Sequence, residues 1–336
     1  MAGVLNSAAA PVFRPLSPFK PTNKRAFTVK LSAQSSETPI ASTSLSTKEE
    51  PSGPSITPPP NFKPPKPKPF SIRPDKVFDI LGASLALIFR LGTGALVSGY
   101  SASFVPKNEI PPDQYALEVA GFKVKESSKL GPRPEKPIEI YEFESCPFCR
   151  KVREIVAVLD LDVLFYPCPR NGPNFRPKVA QMGGKQQFPY MMFISLDVFL
   201  VLVRVVVDIY KRQVDVCDGN VPLLLSLGLL TTLTEGFAMI GRMGKGSSYT
   251  PSKLPAKPLE IWAYEPSPFC KVVREVLVEL ELPHILHSCA RGSPKRQQLY
   301  KKAGHFQVPY LEDPNTGVQM FESAEIVEYL RATYAV

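Results

Sequence analysis

Cys146-Pro147-Phe148-Cys149 combines residue types and spacing suited to thiol–disulfide exchange. The apolar run Ile138–Phe143 before it has the pattern of a buried strand. After it, Val152, Ile155, Val156 and Leu159 recur at helical spacing. The motif therefore sits where a strand becomes a helix, and a spacing of three puts both sulfurs on one side of the first turn. Free N–H groups and the positive end of the helix dipole stabilise a thiolate there. Pro147 fits the first helical position, where no N–H bond is lost. Arg150, Lys151 and Arg153 are expected to lower the Cys146 pKa further. Cys146 is then an accessible attacking thiol and Cys149 the resolving one. Zinc sites also use such pairs but need a second ligand pair. His284, His287 and His305 do not supply one, so no metal is expected.

The elements around the motif occur twice. Residues 127–160 and 250–281 align from the P-[IL]-E-I strand through the helix at a constant offset of 121. Cys149 falls on Cys270, Arg153 on Arg274 and Cys168 on Cys289. Phe188-Pro189-Tyr190 corresponds to Val308-Pro309-Tyr310 after a one-residue deletion. In the second copy Leu259–Tyr264 gives the strand, and Val273, Val276, Leu277 and Leu280 give the helix stripe. Second apolar stretches follow at Val163–Tyr166 and Ile285–Leu286, so each copy predicts a βαβ unit with a parallel strand pair. Cys168 and Cys289, after the second strand, are expected to be small buried residues.

The CPFC turn, the Phe-Pro and Val-Pro pairs, and the Asp313-Pro314-Asn315-Thr316-Gly317 hairpin before Glu322-Ser323 resemble the glutaredoxin and glutathione S-transferase N-terminal domain. Residues 137–192 and 258–336 carry the resemblance, and the whole is similar to plant plastid proteins with tandem domains of this type. The resemblance implies a thioredoxin-like fold in each repeat. With the composition of the flanking segments, the expected fold class is α/β, two tandem thioredoxin-like domains, each preceded by an apolar helix, after a disordered N-terminal region. The resemblance has further implications. It implies glutathione as cofactor and cis peptides before Pro189 and Pro309. It also implies that the backbone at Phe188 and Val308 pairs with the cysteinyl part of glutathione, and that Glu322 and Ser323 hold its γ-glutamyl end. A helix N-terminus and a hydroxyl suit a carboxylate, although Ser323 also reads as a plain N-cap.

The copies depart from the pattern in opposite ways. The second reads Ser267-Pro268-Phe269-Cys270, with serine at the attacking position. Either Ser267 hydrogen-bonds a bound glutathione thiolate, with Cys270 beside it, or this copy is a non-catalytic binding or structural unit. The first copy keeps both cysteines, but its segment 191–219 lacks the hairpin, the Glu-Ser pair and the closing helix. A transcript variant or gene-model error is expected there.

Composition divides the rest. The formal net charge is +9, and residues 1–76 hold eleven Lys or Arg against four acids. The remainder is near neutral, which argues against a nucleic-acid surface. Six scattered cysteines do not make a disulfide scaffold. The first 36 residues contain no Asp or Glu and are rich in Ser, Ala, Thr and Pro, as a chloroplast transit peptide is. The expected layout is transit peptide 1–50, Pro/Lys-rich extended linker 51–75, apolar helix and linker 76–136, domain one 137–220, apolar helix and linker 221–257, and domain two 258–336. The apolar segments 80–100 and 221–241 approach membrane-spanning length but contain Arg90 and Glu235. They are expected to pack on the modules or to touch a membrane peripherally.

The expected function is a glutaredoxin-like thiol–disulfide oxidoreductase of the chloroplast, stromal or membrane-associated, acting on protein disulfides or glutathionylated proteins. The other classes are a non-catalytic glutathione-binding or scaffold protein, and a glutaredoxin sharing an iron–sulfur cluster between two chains.

Overall fold

The computed structural model describes residues 56–68, 71–131, 133–191 and 223–336. The expectations for residues 1–50 and for the anomalous segment after Met191 lie outside the described residues.

Equal sequence patterns build equal units. Copy one contains β4 (Ile138–Glu142), α2 (Pro147–Val158), β5 (Asp162–Pro167), α3 (Phe175–Gly183) and β6 (Tyr190–Met191). Copy two contains β7 (Leu259–Ala263), α6 (Pro268–Glu279), β8 (His284–Ser288), α7 (Lys295–Ala303), β9 (Tyr310–Asp313), β10 (Val318–Met320) and α8 (Ser323–Tyr334). β4 runs parallel to β5 and antiparallel to β6, and β7 runs parallel to β8 and antiparallel to β9. This is the mixed α/β arrangement that the repeat predicts. The helical stripes Val152, Ile155, Val156, Leu159 and Val273, Val276, Leu277, Leu280 are all buried. They join the sheet residues in one hydrophobic core.

The copies share that core because they share a sheet. β5 pairs antiparallel with β8, with Asp162 opposite His287 and Phe165 opposite His284. One seven-stranded sheet results, in the order β10-β9-β7-β8-β5-β4-β6. Backbone hydrogen bonding at the edge strand of each module is thereby satisfied by the other.

The apolar helices are α1 (Val77–Phe89) and α5 (Leu229–Ile240), the latter preceded by the short α4 (Leu223–Ser226). Their coverage is crossed. Helix α1, which precedes copy one, packs on α6 of copy two, whereas α5, which precedes copy two, packs on α2 of copy one. Among the described residues no helix is long and apolar enough to cross a membrane. α1 and α5 also pack on each other, and the close approach is made by glycine. A Cβ on Gly82 would lie 2.6 Å from the Gly241 carbonyl oxygen. Gly82→Ala is therefore expected to lower the urea midpoint. Overpacking costs about 1–3 kcal/mol, which outweighs a helix-propensity gain of about 1 kcal/mol.

Two segments that read as linker have definite places. Residues 101–127 form a three-stranded antiparallel sheet of β1 (Ser101–Pro106), β2 (Leu117–Val119) and β3 (Phe122–Ser127). The Pro/Lys-rich stretch is free of regular structure over 56–68, as its composition predicts, but it is anchored. Ile56 and Phe62 pack on the core, the Phe62 ring lies 5.0 Å from Tyr329, and Arg73 pairs with Glu328 at 2.8 Å. Proline already restricts such a chain, so fixing it along α8 costs little entropy.

Candidate functional site

The CPFC turn forms as the spacing predicts. Cys146 is the N-cap of α2, Pro147 is its first residue, and the Cys149 N–H donates to the Cys146 sulfur at 3.4 Å. The hydrogen bonds from Cys149 hold the Cys146 thiol below its ordinary pKa, against the opposing effects of burial and of the nearby Glu142 carboxylate. Burial, followed by the bond to Cys146 and the repulsion of its charge, pushes Cys149 well above the ordinary range. Environment thus shifts two chemically identical thiols in opposite directions.

Two expectations require correction. Arg150, Lys151 and Arg153 do not tune Cys146. Arg150 and Arg153 are fully enclosed, and their charges are taken up by glutamates from both copies. Arg150 pairs with Glu265 at 3.0 Å and Glu235 at 3.1 Å, and Arg153 pairs with Glu265 at 3.1 Å and Glu144 at 3.2 Å. Lys151 lies in the field of Glu235 and Arg90, with burial lowering its pKa. The second correction concerns access: Cys146 is only 5% exposed. The segment leading into copy two lies against the turn. Ser247 bonds the Ser145 hydroxyl and accepts the Arg170 N–H at 2.5 Å, and Gly246 abuts Glu144.

A further cation in the electrostatic neighbourhood of the thiols is Arg176 on α3, which the motif analysis missed. It interacts electrostatically with Cys146 and Cys149 and donates to the Cys168 carbonyl at 3.0 Å. Its guanidinium lies 4.8 Å from the Phe188 ring centroid and 5.3 Å from that of Phe143. The repeat carried a signal for it. Arg176 follows Cys168 by eight residues and Arg296 follows Cys289 by seven, and Arg296 makes the same 3.0 Å bond to the Cys289 carbonyl. The Phe188–Pro189 and Val308–Pro309 peptides are both cis, as the resemblance implies. Cys168 and Cys289 are fully buried, and burial pushes both thiols up, consistent with packing residues. Alkylation at rising pH should therefore modify Cys146 with a midpoint below the ordinary thiol value of 9.0. Cys149, Cys168, Cys270 and Cys289 should react only after unfolding, which peptide mapping checks.

Copy two repeats the turn without the chemistry. Ser267 caps α6, and its hydroxyl accepts the Cys270 N–H at 3.3 Å. Cys270 is fully buried, with its thiol pushed up by burial. Glu322 occupies the strained N-cap of α8 at φ 74°, and Ser323 is the first helical residue rather than the cap. The chain's own segments engage the groups around this site. The Lys68 backbone N–H donates to Glu322 Oε1 at 2.5 Å, and Gln307 Nε2 donates to the same oxygen at 2.9 Å. Tyr115, from the segment between β1 and β2, accepts from Arg296 at 2.8 Å, and its ring packs at a tilt against Phe306 with centroids 4.7 Å apart. Glu322, Val308–Pro309, Ser267 and Cys270 thus belong to copy two, whereas Cys146, Cys149 and Phe188–Pro189 belong to copy one. Among the described residues no cluster of His, Cys, Asp and Glu is placed to hold a metal.

Comparison with known families places this geometry. Residues 140–199 and 262–335 match the family model of the glutathione S-transferase N-terminal domain. No curated protein and no solved structure matches the chain. A glutathione S-transferase N-terminal domain of thioredoxin-like fold is thus found in this chain, over two regions.

Proposed function

We propose that the protein is a glutathione-dependent thiol–disulfide oxidoreductase of glutaredoxin type whose chemistry resides in copy one. The observation that carries this reading is the place of Cys146 at the N-cap of α2, where the Cys149 N–H donates to its sulfur while Cys149 itself is fully buried. The Cys146 thiolate attacks one sulfur of a protein disulfide or a glutathionylated thiol. A new S–S bond forms to Cys146, and the other sulfur leaves as a thiolate that takes up a proton. Cys149 or a glutathione thiolate then attacks the mixed disulfide. For a protein disulfide, two glutathione molecules supply the two electrons and leave as glutathione disulfide. For a glutathionylated thiol one glutathione suffices, because the glutathionyl group removed from the substrate forms the other half of that disulfide. Arg176 offers its cation to the leaving thiolate or to a glutathione carboxylate. Glutathione would lie along the backbone at Phe188–Pro189, and the protein would work in the chloroplast.

Copy two suits a non-catalytic role. Serine replaces the attacking thiol, and Lys68 and Tyr115 of the same chain engage the groups around the turn. The test is glutathione-dependent reduction of a small mixed disulfide by the intact chain. A rate no higher than that of glutathione alone would sink the oxidoreductase reading and leave a binding module.

A further inference from the structure

Helices α1 and α5 are built inside out. On both, every exposed position carries a large apolar side chain. Phe78 is 87% exposed, Leu81 58% and Ile88 62% on α1, and Leu233 is 49%, Phe237 48% and Ile240 64% on α5. These positions recur at helical spacing and make one stripe along each helix. The buried positions are mostly small or polar: Ala83 and Ala86 beside Ile80 on α1, and Thr231, Glu235 and Ala238 beside Met239 on α5. The charges that make these segments poor membrane spans are turned towards the protein. Arg90, capping α1, pairs with Glu154 at 2.6 Å and Glu235 at 2.9 Å. Arg242, just beyond α5, pairs with Glu275 at 2.6 Å. In water, two neighbouring amphipathic helices bury their large residues against each other. These two make a close backbone approach at Gly82 and Gly241, with one ring pair across them, Phe89 and Phe237 at 6.1 Å. They leave most of their large residues outside, the way helices associate where the surroundings are as apolar as leucine. The pattern continues at the ends. Leu91 and Met243 follow the two helices at left-handed turns, both at φ 46°, and are 80% and 92% exposed.

We propose that the exposed face of α1 and α5 lies in the surface of a lipid bilayer, with hydrocarbon as its partner. At 13 and 12 residues the helices are about 20 and 18 Å long, short of the roughly 30 Å needed to span. They would lie in the membrane plane, with the stripe immersed at the headgroup–acyl boundary. A protein partner would ordinarily meet hydrogen-bonding groups, about one bond per 100–200 Å² of interface. The exposed positions of these helices offer no side-chain donor or acceptor, so hydrocarbon is the better complement. The face carries no charge, so binding should depend weakly on lipid charge and on salt.

The test is co-sedimentation of the full chain with phosphatidylcholine vesicles, with and without phosphatidylglycerol, at low and high salt. The expected result is binding to both vesicle types that survives high salt. The variant Phe78→Gln/Leu81→Gln/Ile88→Gln/Ile240→Gln changes exposed side chains only. It should bind at least about a hundredfold more weakly, with unchanged far-ultraviolet circular dichroism. Three results would overturn the proposal: the wild type remaining in the supernatant, binding confined to anionic vesicles and lost in salt, or a wild-type dimer that the variant breaks without any vesicle binding. The second would indicate a basic surface and the third a second copy of the chain as the occupant.

Discussion

Cys146→Ser is expected to reduce glutathione-dependent turnover of a mixed disulfide to the uncatalysed rate, whereas Cys149→Ser should retain a substantial fraction of it. The difference follows from the positions of the two sulfurs. Cys146 caps α2 and receives the Cys149 N–H, so its anion is stabilised before substrate arrives. Cys149 is fully enclosed, and its thiol stays protonated until Cys146 has reacted. Serine at 146 keeps the cap but is no nucleophile at neutral pH, as Ser267 illustrates in the second copy with the same backbone bond. With serine at 149, glutathione itself can resolve the mixed disulfide, so a loss of roughly tenfold or less is expected. Steady-state rates of both variants, with circular dichroism as a folding control, decide the matter. Equal rates for wild type and Cys146→Ser would falsify the proposed chemistry.

Removing Glu144 should have the largest effect on stability. This carboxylate belongs to copy one, directly before its thiol turn, yet it accepts from Lys271 at 2.7 Å and Arg274 at 3.2 Å of copy two, as well as pairing with Arg153 at 3.2 Å. Burial opposes its charge, but the Arg153, Arg274 and Lys271 charges outweigh burial and hold it well below the usual carboxylate range. The arrangement is reciprocal. Glu265, in the equivalent place before the turn of copy two, receives Arg150 and Arg153 of copy one at 3.0 and 3.1 Å. Glu144→Ala would leave three buried cations short of a partner, at a cost of about 3–5 kcal/mol. That is a large share of the roughly 5–15 kcal/mol that holds a typical domain folded. Urea unfolding measures the loss. As a control, Glu118→Ala removes an exposed partner of Lys107 and should leave the midpoint unchanged. If both substitutions behave alike, water reaches the Glu144 cluster.

The same residues show why the site was only partly legible. The cis peptides at Pro189 and Pro309 were legible only through the family resemblance, whereas the cap geometry of Cys146 and Ser267 and the buried positions of Cys168 and Cys289 follow from motifs a few residues long. Their physics is local, and duplication marked them twice. The basic residues after each turn were legible as charges but not in their destination. Arg150 and Arg153 end in contact with Glu235 and Glu265, which lie 85 and 112 positions away in the sequence. Arg176 was missed because it belongs to a different helix, where it bonds the Cys168 carbonyl and lies over the Phe143 and Phe188 rings.

The family resemblance added the thioredoxin-like fold to what spacing and duplication alone determined: two strand–helix–strand units, with a CPFC turn at the head of the first helix and its serine counterpart in the second. Those features depend on hydrogen bonds and side-chain periodicity within one turn or one strand–helix unit. Only the tertiary structure decided that β5 and β8 join the copies into one sheet, that α1 and α5 cross to cover each other's modules, and that Lys68 and Tyr115 come to rest on copy two. These outcomes turn on which satisfied edge, buried charge or apolar face best fits another across more than forty residues of chain. Such complementarity exists between surfaces, and no local pattern of residues contains it.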